Sequence, residues 1–143
     1  MKYSKGYKYQ LKETVRLQTN ITPLAACVVQ GFIYLDPDGT LMLYRGYAWD
    51  GCSAAPDLKG AMFASLVHDA IYQLIKEGLL DIAWKHVADE LFYDLMIQYG
   101  TPVVLAKLYR LAVVAFGGLF LTKPKEIYLT EPVDRRERHE YIP

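Results

Sequence analysis

Three scarcities narrow what this chain can be. It carries only 2 cysteines, Cys27 and Cys52, too few for a disulfide framework and suited to a reducing compartment. It has no excess charge of either sign: Lys+Arg and Asp+Glu stand at 16 each, so no basic field marks it for nucleic acid. It also lacks a clean membrane-length run. The longest apolar stretch, Val103 to Leu121, is interrupted by Lys107, Arg110 and Gly117-Gly118. It reads as a buried amphipathic helix, and no transmembrane segment is expected. The opening MKYSKGYKYQLKE has no apolar core, so no secretory signal peptide is expected.

What is present argues for an ordered core. The apolar fraction is 52%, and there are 12 tyrosines among 143 residues. Residues 3–19 alternate loosely and predict one or two strands with a solvated face. Cys27 to Leu35 and Thr40 to Tyr47 predict a hairpin about Asp36-Pro37-Asp38-Gly39, which is strong turn chemistry. Three helices follow, at about 59–77, 81–99 and 102–116, the last packing Val103, Leu105 or Ala106, Leu108, Tyr109, Ala112, Val113 and Phe116 inward. One short strand is expected at Ile127 to Leu129. The expected fold is α+β, a small antiparallel sheet packed on a three-helix unit. Residues 1–130 would form one domain and 131–143 a charged tail.

The chemistry concentrates between Asp50 and Phe92. The first helix carries His68-Asp69-x-x-Tyr72 and the second Ala88-Asp89-x-x-Phe92. Gly78 suits the end of one helix and Asp81 the start of the next. So short a link makes the two helices antiparallel neighbours. Its midpoint is near residue 79, with His68 and Asp89 almost equally far from it. The two therefore lie at one level, where the acid can hold one ring nitrogen and leave the other as a base. Lys85, His86, Phe92 and Tyr93 share the side of Asp89, since positions three and four apart are neighbours on a helix. Asp69 is turned about 100° from His68 and points elsewhere. Ahead of the helices, Trp49-Asp50-Gly51-Cys52-Ser53-Ala54-Ala55-Pro56-Asp57 predicts an ordered loop, a common place for a site.

These motifs resemble a phage- and prophage-encoded family, Domain of Unknown Function 1353. The resemblance rests on Gly46-Tyr47-x-Trp49-Asp50-Gly51-x-Ser53, Ala64-Ser65-Leu66-Val67-His68-Asp69-Ala70-Ile71-Tyr72 and Ala88-Asp89-x-x-Phe92, with Tyr109 to Gly117 similar as well. It implies a phage accessory or virion-associated protein, located in the host cytoplasm or on the particle, with a phage or host protein as partner. The helix pair is also similar, more distantly, to the active sites of phospholipases A2. That similarity implies His68 as the base activating water, with Asp89 and Tyr72 fixing it and Asp69 holding Ca²⁺ with backbone carbonyls around Trp49 and Gly51. An ester, phosphodiester or lipid ligand would suit it. The loop here has Gly51 as its one glycine, and the disulfides of the secreted enzymes are absent.

Other readings of the same residues stand beside this one. His68 and Asp89 can be a satisfied structural pair that pins two helices. Ser53 can cap a helix, or serve as a nucleophile with His68 as its base. Zn²⁺ held by His68, Asp69, His86 and Asp89 would make a metal phosphohydrolase. Lys85 can be a rim charge or hold a substrate anion, and Tyr93 can line the pocket.

Overall fold

A computed structural model describes residues 3–4, 9–49 and 60–121. They form an α+β fold in two compact units, one of strands up to residue 49 and one of helices from residue 60. The expected strand at 127–129, the tail 131–143, and Asp50, Gly51 and Ser53 lie outside the described residues.

The strand unit holds two antiparallel sheets. In the first, β1 (Tyr3–Ser4), β2 (Tyr9–Leu11) and β7 (Ala48–Trp49) run in the order β1-β2-β7. In the second, β3 (Val15–Gln18), β4 (Cys27–Val29), β5 (Ile33–Leu35) and β6 (Thr40–Leu43) run in the order β3-β6-β5-β4. The Asp36 to Gly39 turn forms where its residues predict. Gly39 N–H donates to the Asp36 carbonyl and Asp36 N–H to the Thr40 carbonyl, both at 2.9 Å. The Asp38 carboxylate accepts from Thr40 N–H at 2.8 Å.

Two strand boundaries differ from the sequence expectation. The run from Cys27 to Leu35 is not one strand. It folds back at Gln30-Gly31, where Phe32 N–H donates to the Val29 carbonyl at 2.9 Å. The strand from Thr40 stops at Leu43, a turn follows at Tyr44 to Tyr47, and β7 then joins the other sheet. β-propensity is high throughout both runs, so composition alone does not reveal where a strand reverses. The residues that face inward, Leu11, Ile33, Leu35, Leu41, Leu43 and Trp49 among them, are almost wholly buried.

The helical unit has α1 (Ala61–Lys76), α2 (Lys85–Gln98) and α3 (Val103–Leu121). A 3-10 turn, Ile82–Trp84, leads into α2, and the Asp81 carboxylate caps it by accepting from Ala83 N–H at 2.8 Å. α1 ends in a Schellman arrangement. Leu79 N–H donates to the Leu74 carbonyl at 2.9 Å and Gly78 N–H to that of Ile75 at 3.0 Å, with Gly78 at φ 75°. α2 ends the same way on Thr101, Met96, Gly100 and Ile97. These two closures set the reversals of the three-helix chain. α1 is the most enclosed element, with Leu66, Val67, Ala70, Ile71 and Leu74 buried along it.

α3 departs from its expected packing. Ala106 is buried and Tyr109 and Val113 are half-buried, as expected, and Gly117 is buried too, but Val103, Leu108, Ala112 and Phe116 are exposed rather than turned inward. A helix apolar on every side has no periodicity to say which stripe faces the core. Among the described residues, no helix is long and apolar enough to cross a membrane.

Candidate functional site

The site lies inside the helical unit and is built around the carboxylate of Asp89. α1 and α2 run past each other at the level predicted from their short link. His68 Nε2 lies 2.8 Å from Asp89 Oδ1, and the Tyr72 hydroxyl donates to the same oxygen at 2.5 Å. The other oxygen, Oδ2, accepts from Lys85 Nζ at 2.7 Å. His68 and Tyr72 stand four apart on α1, as do Lys85 and Asp89 on α2, so each pair shares one face of its helix. The imidazole is packed between two aromatic rings, with centroids 4.0 Å away for Tyr72 and 4.8 Å for Phe92.

α3 closes the arrangement. Lys85 Nζ also donates to the Val113 carbonyl at 3.2 Å. One turn further on, Gly117 lies so close to the Tyr72 hydroxyl that a Cβ there would collide with it. The side chains of Asp89 and His68 are 1% and 7% exposed, and that of Lys85 is 19% exposed.

Charge and protonation follow from this packing. Burial pushes the Asp89 carboxyl toward neutrality. Hydrogen bonds from His68, Lys85 and Tyr72 outweigh that effect and hold its pKa below the usual value. Asp89 is therefore a carboxylate, which only accepts hydrogen bonds. Nε2 then carries a proton and donates it to Asp89, and in the neutral form of the imidazole this tautomer has its lone pair on Nδ1. Among the described residues no partner engages Nδ1. Tyr72 is held in its neutral form. Burial raises its pKa most, the hydrogen bond to Asp89 adds to this, and the charges of Asp89 and Asp69 raise it further.

Neither a scan against protein-family models nor searches of curated proteins and solved structures finds a match to this chain.

The other residues singled out from the sequence fall in different places. Trp49 belongs to the strand unit, buried in β7 with its ring centroid 5.6 Å from that of Tyr9. Asp69 is half-buried on α1. Lys85 is neither a bare rim charge nor an open anion holder, because Asp89 and the Val113 carbonyl occupy its ammonium. The Tyr93 ring lies under the Arg110 guanidinium of α3, 5.0 Å away, and Arg110 pairs with Glu90 at 3.3 Å.

His86 does not join the group either. It is exposed, and its Nδ1 engages the Ala83 carbonyl at 2.8 Å. Among the described residues no three His, Cys, Asp or Glu side chains cluster to hold a metal ion. The set of His68, Asp69, His86 and Asp89 is thus not assembled for Zn²⁺. The loop around Gly51, whose backbone carbonyls are expected to complete a Ca²⁺ site with Asp69, lies outside the described residues. No step below is routed through a metal.

Sequence reasoning missed the contributions of α3, namely the Val113 carbonyl and the close approach at Gly117. The signal for the second was present. A glycine inside a strongly apolar helix lowers helix propensity and is usually there for packing.

Proposed function

We propose that His68 and Asp89 form the dyad of a hydrolase acting on an ester or phosphodiester, in a phage or prophage accessory protein. The observation that carries this reading is the polarity of the imidazole. Its Nε2–H is engaged by a carboxylate and its Nδ1 lone pair has no partner among the described residues. In this role Nδ1 takes the proton of a water molecule as that water attacks the substrate. Asp89 holds the tautomer and stabilises the imidazolium that forms. Tyr72 and Lys85 are positioning residues, acting through Asp89. The similarity of the helix pair to phospholipases A2, and of the motifs to Domain of Unknown Function 1353, supports the same roles and the phage setting.

The test uses purified protein against aryl esters, phospholipids and phosphodiesters, with and without EDTA, beside the variant His68→Gln. Turnover should fall by about 100-fold or more in the variant, the usual contribution of a positioned base. No turnover on any of the three substrate classes, or turnover indifferent to His68→Gln, would refute the reading.

A second reading has its own support. Both oxygens of Asp89 are satisfied, and the hydrogen bonds reach all three helices. Such a knot suits a non-catalytic phage component, a virion protein or a binder of a host factor, whose buried polar group secures helix register. Its signature is a His68→Gln protein of lowered stability that co-purifies with particles or a partner and has no activity to lose.

A further inference from the structure

We infer that the exposed face of α3 is a docking surface for an anionic phospholipid bilayer. Val104, Leu108, Leu111, Phe116 and Leu119 are all more than half exposed, with Leu111 at 65% and Phe116 at 67%. At about 100° per residue, the exposed positions of α3 sweep roughly 220° of its circumference. Lys107 is the one charge within that arc. An exposed apolar face this wide is of the kind that marks an interaction site.

The width of the arc discriminates between occupants. A second copy of the chain packing helix on helix covers a single stripe. It would leave much of this arc in water. A lipid surface takes up the whole arc at once, as with helices that lie in the plane of the membrane. Charge points the same way. From Thr101 to Leu121 there are Lys107 and Arg110 and no acid. Lys107 is exposed, and its aliphatic stem can lie along the apolar face while the ammonium reaches phosphate. The opposite side of α3 stays attached to α2 through Lys85 to Val113 and Arg110 to Glu90, so the helix lies along the surface. This inference does not depend on hydrolysis.

The experiment is sedimentation of the full chain with vesicles of phosphatidylcholine alone and of phosphatidylcholine with phosphatidylglycerol in equal parts. The wild-type protein should sediment with the anionic vesicles. Leu108→Glu/Leu111→Glu should reduce binding about tenfold or more through lost apolar burial. Circular dichroism checks its fold, and exposed positions tolerate such changes. Lys107→Gln should weaken binding to the anionic vesicles about fivefold and leave any binding to neutral ones unchanged. Absence of wild-type binding, or binding insensitive to both variants, overturns the inference. So does a dimer in size-exclusion chromatography that Leu108→Glu/Leu111→Glu dissociates, which would assign the face to a second copy.

Discussion

Lys85 and Asp89 form a 2.7 Å ion pair one turn apart on α2, with the acid sealed from water and the ammonium reaching on to the Val113 carbonyl of α3. This pair places a cation beside the buried carboxylate. The buried carboxylate is balanced by the lysine ammonium, and His68 engages its other oxygen through Nε2.

Removing either partner should therefore be costly, and unequally so. Breaking a buried pair costs about 3–5 kcal/mol when the remaining charge is fully enclosed. Lys85 is partly exposed, so Lys85→Met should lose less, about 1–3 kcal/mol after allowing for solvent screening. Asp89→Ala strands three donors and should lose more than Lys85→Met. Urea denaturation measures both. Equal losses would mean the lysine contributes as much as the whole knot, contrary to the geometry.

Acid should uncover the Asp89 contribution. Its pKa is lowered in the fold, so the stability it adds is whole above the ordinary aspartate value of about 3.9 and fades as pH falls below it. Melting temperature followed from pH 7 to pH 2 should drop more steeply for the wild type than for Asp89→Asn. Parallel curves would show that this carboxylate is not the group titrating.

Alkali should report on Tyr72. Its pKa is raised, chiefly by burial and then by the bond to Asp89, so its stabilisation is complete below about pH 10 and is lost as pH climbs beyond that. Tyr72→Phe keeps the ring against His68 and removes the hydroxyl. It should cost about 1.5–3 kcal/mol at neutral pH, the range for a hydrogen bond to a charged group. The variant should also lose less stability between pH 9 and pH 11 than the wild type does.

Gly117 and Gly118 should behave oppositely although they are adjacent. Nothing lies within 4 Å of a Cβ at Gly118, so Gly118→Ala should gain up to about 1 kcal/mol from helix propensity. At Gly117 a methyl group meets the Tyr72 hydroxyl, and Gly117→Ala should lose about 1–3 kcal/mol through overpacking. Combining it with Tyr72→Phe should recover part of that loss. Thermal unfolding of the four proteins gives the answer.

Much of this site was readable before any coordinates. The motif spacing on α1 and α2 and the shortness of their link place His68, Tyr72 and Asp89 together, because rise per residue and helix reversal are local properties. The Asp36 turn and the helix ends at Gly78 and Gly100 are local in the same sense. The role of Lys85 was half legible. Its position one turn before Asp89 was plain, but nothing in the pattern excluded a side chain turned to solvent.

The amino-acid sequence by itself thus determined the α+β class, the helices, their reversals and the shared level of an imidazole and a carboxylate. Tertiary structure alone decided that α3 lends the site a carbonyl and a glycine while leaving most of its apolar surface outward, and that the run after Cys27 folds into two strands. The physical reason is that periodicity records which residues share a face. Which face then meets a neighbour depends on elements distant in the chain, and in a helix apolar all round or a run uniformly rich in β-formers no local signal distinguishes the choices.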